Sequence, residues 1–389
     1  MPTKHLKLAI ILLLASASSL SCAQGLFRRS NIRLPADSAN AIKVMDALTL
    51  FLVQKDKPNR DNQYVWKDEL LATSDLLDEI KGMDGAKDAK GYNAYKCYLT
   101  NLVELNADNF IVQISYTDLD KRVGEVKANF RLMAKKIDGK FYFYSPLKRN
   151  TAGWKTKKFG NLTCYYKDSL NVAAVKSYQN TVSFYNKKLK IPDSPIEFFY
   201  CDNFPEAQQI LGIDYKLDYD GVKNNSLSAN ENGVSLEING GYSDRFRFDA
   251  HDLWHARLRM VMDRAVINRP VDEGCAYLYG GSWGYTWDEL LAKFKSYVAK
   301  NPNADWMNLY TTNVKFADDD KPMYVAYILN ALIVKDIERK QGFTPVMGLL
   351  GCGNRQNGDE NYFAALKKIT GIDKGDFNAK MWELVKTAK

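Results

Sequence analysis

The sequence predicts an α+β protein of two folded parts, and three observations carry that reading. Apolar residues recur with helical spacing near the start, strict alternation of apolar and polar residues follows, and the second half is mostly helical behind a strand, helix, strand arrangement. The 389 residues, 46% hydrophobic and 26% charged, are enough for two domains and match an ordinary globular chain. That composition excludes a disordered polymer and a polytopic membrane protein.

Residues 1–23 read as a secretory signal peptide: Lys4, His5 and Lys7, an apolar run from Leu8 to Ala15, then small residues to Ala23. The mature protein is therefore expected outside the cytoplasm, secreted, periplasmic or in the cell envelope, with a leader of bacterial type. Cleavage before Gln24 is favoured over lipidation of Cys22, because Ser19 stands three residues before that cysteine, where a lipoprotein signal wants a large aliphatic residue. A lipid anchor at Cys22 is the alternative. No later stretch is apolar enough for a transmembrane span.

Ile42, Met45, Leu48 and Leu52 mark a first helix over 38–54, and Trp66, Leu70, Leu77 and Ile80 a second one before Gly82. Phe110, Val112, Ile114 and Tyr116 alternate with polar residues, as do Val126, Ala128, Phe130 and Leu132, and Asp138-Gly139 is a hairpin turn into Phe141–Tyr144. Residues 24–150 thus form a helix-plus-antiparallel-sheet domain that resembles the cone-shaped nuclear-transport-factor-like or cystatin-like architecture, with a scaffolding or ligand-presenting role. A linker, 149–158, leads to a strand at Leu162–Tyr166, a helix through Val175, Tyr178, Val182, Tyr185 and Leu189, a strand at Ile196–Tyr200, a short helix at Phe204–Leu211 and a strand at Val234–Ile238. Helices are then expected over 248–262, from near Asp272, from the Thr286/Glu289 capping box to Val298, from Pro322 to Lys340, and over 362–369 and 377–385.

The formal charge of +8 falls to +6 once Lys4 and Lys7 leave with the signal, and the basic residues form no stripe interleaved with aromatics, so nucleic acid is not an expected partner. Cys97, Cys164, Cys201, Cys275 and Cys352 contain no CxxC pair; small buried hydrophobes are the plainest reading, with pairing left open.

Beyond the signal the chain has only two histidines, His251 and His255, four residues apart. Random placement gives that separation roughly once in 200, and it puts two imidazoles on one helical face, so coincidence is a poor explanation. A further helix opening at Asp272-Glu273 after a proline turn supplies a carboxylate, and two neutral imidazoles with one carboxylate around an open position are what catalytic zinc requires. The expected zinc ligands are His251, His255 and Glu273.

His251 to His255 is similar to the HExxH helix of the gluzincin (peptidase MA-like) metallopeptidases, and Val271 to Tyr277 looks like their later glutamate-bearing helix. The resemblance covers roughly residues 157–389, divided into a mixed β/α subdomain (157–246) and a helical subdomain (247–389) carrying the metal motif. It implies hydrolysis of peptide bonds in a peptide or protein substrate; Val234–Ile238, upstream of the motif, reads equally as an edge for the substrate backbone, as in that family, or as an ordinary internal strand. One departure bears on catalysis: the family's glutamate base is Asp252 here. The side chain is shorter by about 1.5 Å, and a misplacement of about 1 Å can cost on the order of 100-fold in rate. Two functions follow: a zinc peptidase with Asp252 as shortened general base, or an inactive member of the fold that binds peptide or protein without cutting it.

Around that centre, Asp272 reads either as a helix cap or as a partner that orients an imidazole, and Tyr277, Tyr279 and Tyr285 are candidates to stabilise an oxyanion. Arg257 and Arg259 follow the motif and offer cations to a substrate carboxylate. Gly280-Gly281-Ser282-Trp283-Gly284 matches a nucleophile elbow only by accident, since no histidine follows it.

Overall fold

The computed structural model describes residues 26–28, 32–36, 38–83, 95–118, 124–241, 248–317 and 321–388; the expected signal segment and Cys22 lie outside them. The fold is α+β, and the chain divides into two compact units. One runs to Asp168 and resumes over Pro195–Gly240; the other is Ser169–Ser194 with Gly241–Lys389. The division expected near residues 150–157 is not where the chain parts.

In the first unit, helix α1 (Ser38–Val53) buries Ala41, Val44, Leu48 and Phe51, and α2 (Leu70–Ile80) buries Leu76, Leu77 and Ile80, each with helical spacing. Strands β1 (Phe27–Arg28), β2 (Lys96–Asn106), β3 (Asn109–Asp118), β4 (Glu125–Ile137) and β5 (Lys140–Tyr144) line up in that order as one sheet. The alternating set Phe110, Val112, Ile114, Tyr116, Phe130 and Leu132 is buried, as the two-residue period requires. Asp138 and Gly139 both take positive φ, 49° and 79°, which closes the β4–β5 hairpin.

A short helix, α3 (Leu147–Asn150), leads into β6 (Lys155–Phe159) and β7 (Leu162–Tyr166). The linker expected over 149–158 is therefore in part a strand, hidden by its composition: Lys155, Lys157 and Lys158 are exposed on an edge strand, where charge discourages pairing with another chain. After β7 the chain leaves this unit through helix α4 (Val172–Leu189) and returns at β8 (Ile196–Tyr200), α5 (Phe204–Leu211), β9 (Ile213–Lys216), β10 (Ser226–Glu231) and β11 (Val234–Asn239). The second sheet has the order β10-β11-β8-β7-β6, parallel at β11/β8 and β8/β7 and antiparallel at both edges.

Residues 195–240, assigned from the sequence to a β/α part of the motif-bearing domain, belong to the first unit for two reasons. β9 adds to the first sheet along β4, and Phe199, Phe204, Leu211, Leu236 and Ile238 enter the same apolar core as α1, α2 and β2–β5. β11 is paired on both sides, so of the two readings of Val234–Ile238 it is the internal strand, with no edge free for a substrate.

The second unit is helical among its described residues: α4, α6 (Ala250–Leu258), α7 (Arg269–Gly280), α8 (Trp287–Lys300), α9 (Trp306–Thr311), α10 (Val325–Gln341), α11 (Thr344–Leu350), α12 (Glu360–Thr370) and α13 (Phe377–Thr387). Lys188 ties α4 to α10 by pairing with Glu338, and its ammonium lies 4.4 Å from the centre of the Tyr279 ring on α7. The Thr286/Glu289 capping box opens α8 as expected. α6 stops at Leu258, short of Met262, and α10 starts at Val325, so Pro322 lies ahead of that helix.

Among the described residues no two of the five cysteines form a disulfide with each other; Cys97, Cys164, Cys201 and Cys275 are buried and Cys352 is half-buried. No described helix is long and apolar enough to cross a membrane.

Among the described glycines of the first unit, Gly212, which ends α5, leaves the least room for a side chain. Its φ is 110°, and a Cβ there would stand 2.3 Å from the Arg131 carbonyl oxygen and 2.8 Å from Pro146 Cδ. Gly212→Ala should destabilise the protein by at least about 2 kcal/mol, read as a lower urea midpoint, because a left-handed backbone and an overlap with rigid groups add.

Candidate metal centre

Helix α6 starts where Asp249 turns its carboxylate onto the first free amides, accepting from His251 N at 2.8 Å and Asp252 N at 3.4 Å. The Tyr185 hydroxyl donates to the Ala250 carbonyl at 2.9 Å, and the fully buried Trp254 packs edge-on against the Tyr185 ring and beside Tyr279. With Trp254 locked inward, His251 and His255, one helical turn apart, both face α7.

α7 runs antiparallel to α6, its first turns beside His255 and its C-terminal end beside His251. The approach is close: a Cβ on Gly280 would stand 2.5 Å from His251 N, so that position tolerates no side chain. Pro270 stands in the first turn of α7 and Asn268 is its N-cap residue, which leaves Asp272 free of a capping role. Of the two readings of Asp272, the orienting one matches its contacts: one carboxylate oxygen faces His255 Nδ1 at 2.9 Å and the other accepts from Trp254 Nε1 at 3.0 Å.

The three expected ligands come together. His251 Nε2 lies 3.2 Å from His255 Nε2 and 3.4 Å from Glu273 Oε2, and one ligand atom from each of the three residues lies within 4.8 Å of the others. All three side chains are largely buried, with 13–16% of each exposed. Among the described residues no other group of histidine, cysteine or acidic side chains meets the same closeness.

Hydrogen bonding fixes the tautomers. The Gly281 carbonyl, 2.8 Å from His251 Nδ1, can only accept, and the Asp272 carboxylate also accepts, so both Nδ1 atoms carry hydrogen. Both Nε2 lone pairs then point at one another, an arrangement that needs a proton or a cation between them. Burial alone would push the His251 pKa down, but the hydrogen bond and charge of Glu273, with the Gly281 carbonyl and Asp252, outweigh it and raise the pKa to about 9. For Glu273 burial pulls upward, and His251, His255 and Arg269 more than offset it, leaving the carboxyl below its usual range.

The remaining expected residues are placed as follows. Asp252 is exposed at the third position of α6, where an acid also complements the helix dipole. Tyr277 is buried behind His251, ring centroids 5.9 Å apart, with the Tyr324 backbone and the Ser282 side chain as its hydrogen-bond partners; packing accounts for it. Tyr279 donates to Glu338 at 2.7 Å, and Tyr285 lies under Lys293 and Lys321. Arg257 is 3% exposed, so of the two arginines only Arg259 reaches solvent. A helix precedes Gly280-Gly281-Ser282, unlike the strand a nucleophile elbow requires.

Two neighbours of the centre escape sequence reasoning. Tyr327, on α10, is coupled electrostatically to Glu273 and hydrogen-bonded to Arg269, and nothing in its local sequence marks it. Arg269 reaches Glu273 Oε1 with its Nε at 3.5 Å; the four-residue spacing on α7 is the signal that could have found it.

No protein-family model matches the chain, and no curated protein matches it.

Asp272→Asn removes the anionic acceptor that fixes His255, so it should weaken zinc affinity by about 10- to 100-fold with helical circular dichroism unchanged, as measured by competition with a chromophoric chelator. Asp249→Ala removes the cap of α6 and should cost about 1 kcal/mol in urea denaturation.

Proposed function

We propose that the chain is an exported zinc metallopeptidase of gluzincin type, hydrolysing peptide bonds at His251, His255 and Glu273 with Asp252 as a shortened general base. The observation that carries this reading is the spacing of the converging atoms. Ligands about 2.0–2.1 Å from a tetrahedral ion stand about 3.3 Å apart, and the two closest pairs here stand 3.2 and 3.4 Å apart. The donor set, two neutral imidazoles and one carboxylate, suits zinc, and the orienting contacts from Asp272 and the Gly281 carbonyl are of the kind that hold metal-binding histidines.

Zinc bound there supplies Lewis acidity, polarising a carbonyl and acidifying a water molecule. The chain's own residues do the rest. Asp272 and the Gly281 carbonyl keep the hydrogens on Nδ1, which leaves each Nε2 free to donate its lone pair. Asp252, exposed beside His251, takes up and returns the proton; Tyr327, on the Glu273 side, offers a hydroxyl to charge developing on the attacked carbonyl.

The shortened and exposed Asp252 also favours a second reading, a binding module that holds peptide without cleaving it. Elemental analysis of the purified protein and cleavage of a broad peptide library separate the two. One zinc per chain with slow cleavage, raised about 100-fold by Asp252→Glu and lost with the metal in Glu273→Ala, is the expected outcome. Zinc without cleavage in either the parent or Asp252→Glu supports the binding module, and absence of stoichiometric zinc overturns both.

A further inference from the structure

Arg269 does not fit the pattern of the other groups around the centre. Asp272 and the Gly281 carbonyl, which face the imidazoles, are acceptors that increase the electron density of a metal ligand. A guanidinium beside Glu273 does the opposite: it draws the carboxyl pKa down, and its charge opposes a cation arriving at Oε2. Nor does it hold Glu273 firmly, since Nε stands 3.5 Å from Oε1, the limit of a hydrogen bond, and 77% of the Arg269 side chain is exposed. Tyr327 engages it on one side. The rest of a rigid, planar donor fork faces solvent next to the converging ligand atoms.

An exposed arginine engaged by Tyr327 and in loose contact with Glu273 at the rim of such a site is a receptor for a planar anion, because its paired N–H groups match the two oxygens of a carboxylate. One residue advances a peptide by about 3.8 Å, so a carbonyl at the ligand cluster and a carboxylate at Arg269 fall within about one residue of each other.

On the proposed function, we infer that Arg269 makes this site selective for peptides that carry a carboxylate adjacent to the scissile residue. The carboxylate is either the free C-terminus or an aspartate or glutamate side chain. Arg269 then acts as a specificity residue: it binds the anion and orders the peptide across His251 and Glu273.

Binding, measured by titration calorimetry on full-length protein whose zinc content has been verified, tests this without requiring turnover. The probes are three N-acetylated tripeptides: one with a free C-terminal carboxylate, one amidated with a penultimate glutamate, and one amidated and neutral. At least one of the two anionic peptides should bind about tenfold or more tightly than the neutral one, which is about 1.4 kcal/mol. Whichever binds more tightly names the source of the anion. Arg269→Ala should bring that ratio close to one and leave the zinc content unchanged, and Arg269→Lys should retain only part of it. Equal binding of the three peptides, or a ratio that survives in Arg269→Ala, overturns this inference alone; a chain without stoichiometric zinc overturns the function on which it rests.

Discussion

Close antiparallel contact between α6 and α7 is the constraint on which the centre depends. Gly280 lets the C-terminal end of α7 lie against the amide of His251, and this places the Gly281 carbonyl on Nδ1 of His251 and Glu273 near its Nε2, while Asp272 meets His255. Two histidines on a helix are common; two histidines whose Nδ1 atoms are each tied to an acceptor and whose Nε2 atoms converge are not, because neutral lone pairs repel. The helix pair has no freedom to relieve this by turning. Trp254 is locked between Tyr185, Tyr279 and Phe343, and its indole N–H holds the same Asp272 that orients His255. Ligand geometry and core packing are thus one network.

Such a network works against folding in the absence of an ion. Largely buried imidazoles and carboxylates lose hydration, and the contacts among His251, His255 and Glu273 replace it only in part. Binding that removes this conflict in the native state alone adds to stability by mass action. The surrounding helices bear the cost through apolar contacts: Leu253, Leu258, Val271 and Cys275 are buried along α6 and α7, and α10 presents an almost wholly buried face from Val325 to Val334.

Much of this was legible from periodicity and spacing. The helix bounds at Phe204–Leu211 and the capping box at Thr286 follow from local rules and are formed by local interactions, and the juxtaposition of His251, His255 and Glu273 is legible in their spacing and in the acid that opens the next helix. What stayed hidden depends on partners distant in sequence. β2 is not marked in the sequence, because its alternation, Cys97 and Leu99, shifts phase at a bulge before Leu102. β6 looked like a linker because an edge strand is free to be rich in lysine. The assignment of 195–240 to the first unit depends on β9 pairing with β4, a contact no local pattern announces. The capping expectation for Asp272 gave way because Asn268 starts α7 one turn earlier, and Tyr327 lies on a helix whose sequence is simply apolar.

The excursion of the chain through α4 bears on how the protein is made. Neither unit is a continuous stretch, since α4 lies between two strands of the first yet makes its contacts with α6, α7 and α10. A ribosome releases α4 well before those partners exist, so Tyr178, Val182 and Tyr185 must wait, uncovered, while β8 to β11 are still being synthesised. No truncation between residues 169 and 240 leaves either core with all its pieces. The first unit lacks its last strands until residue 240 has been made, and the second cannot close on α4 until α6, α7 and α10 follow, so chaperones that shield apolar helices in the interim would act first on this segment.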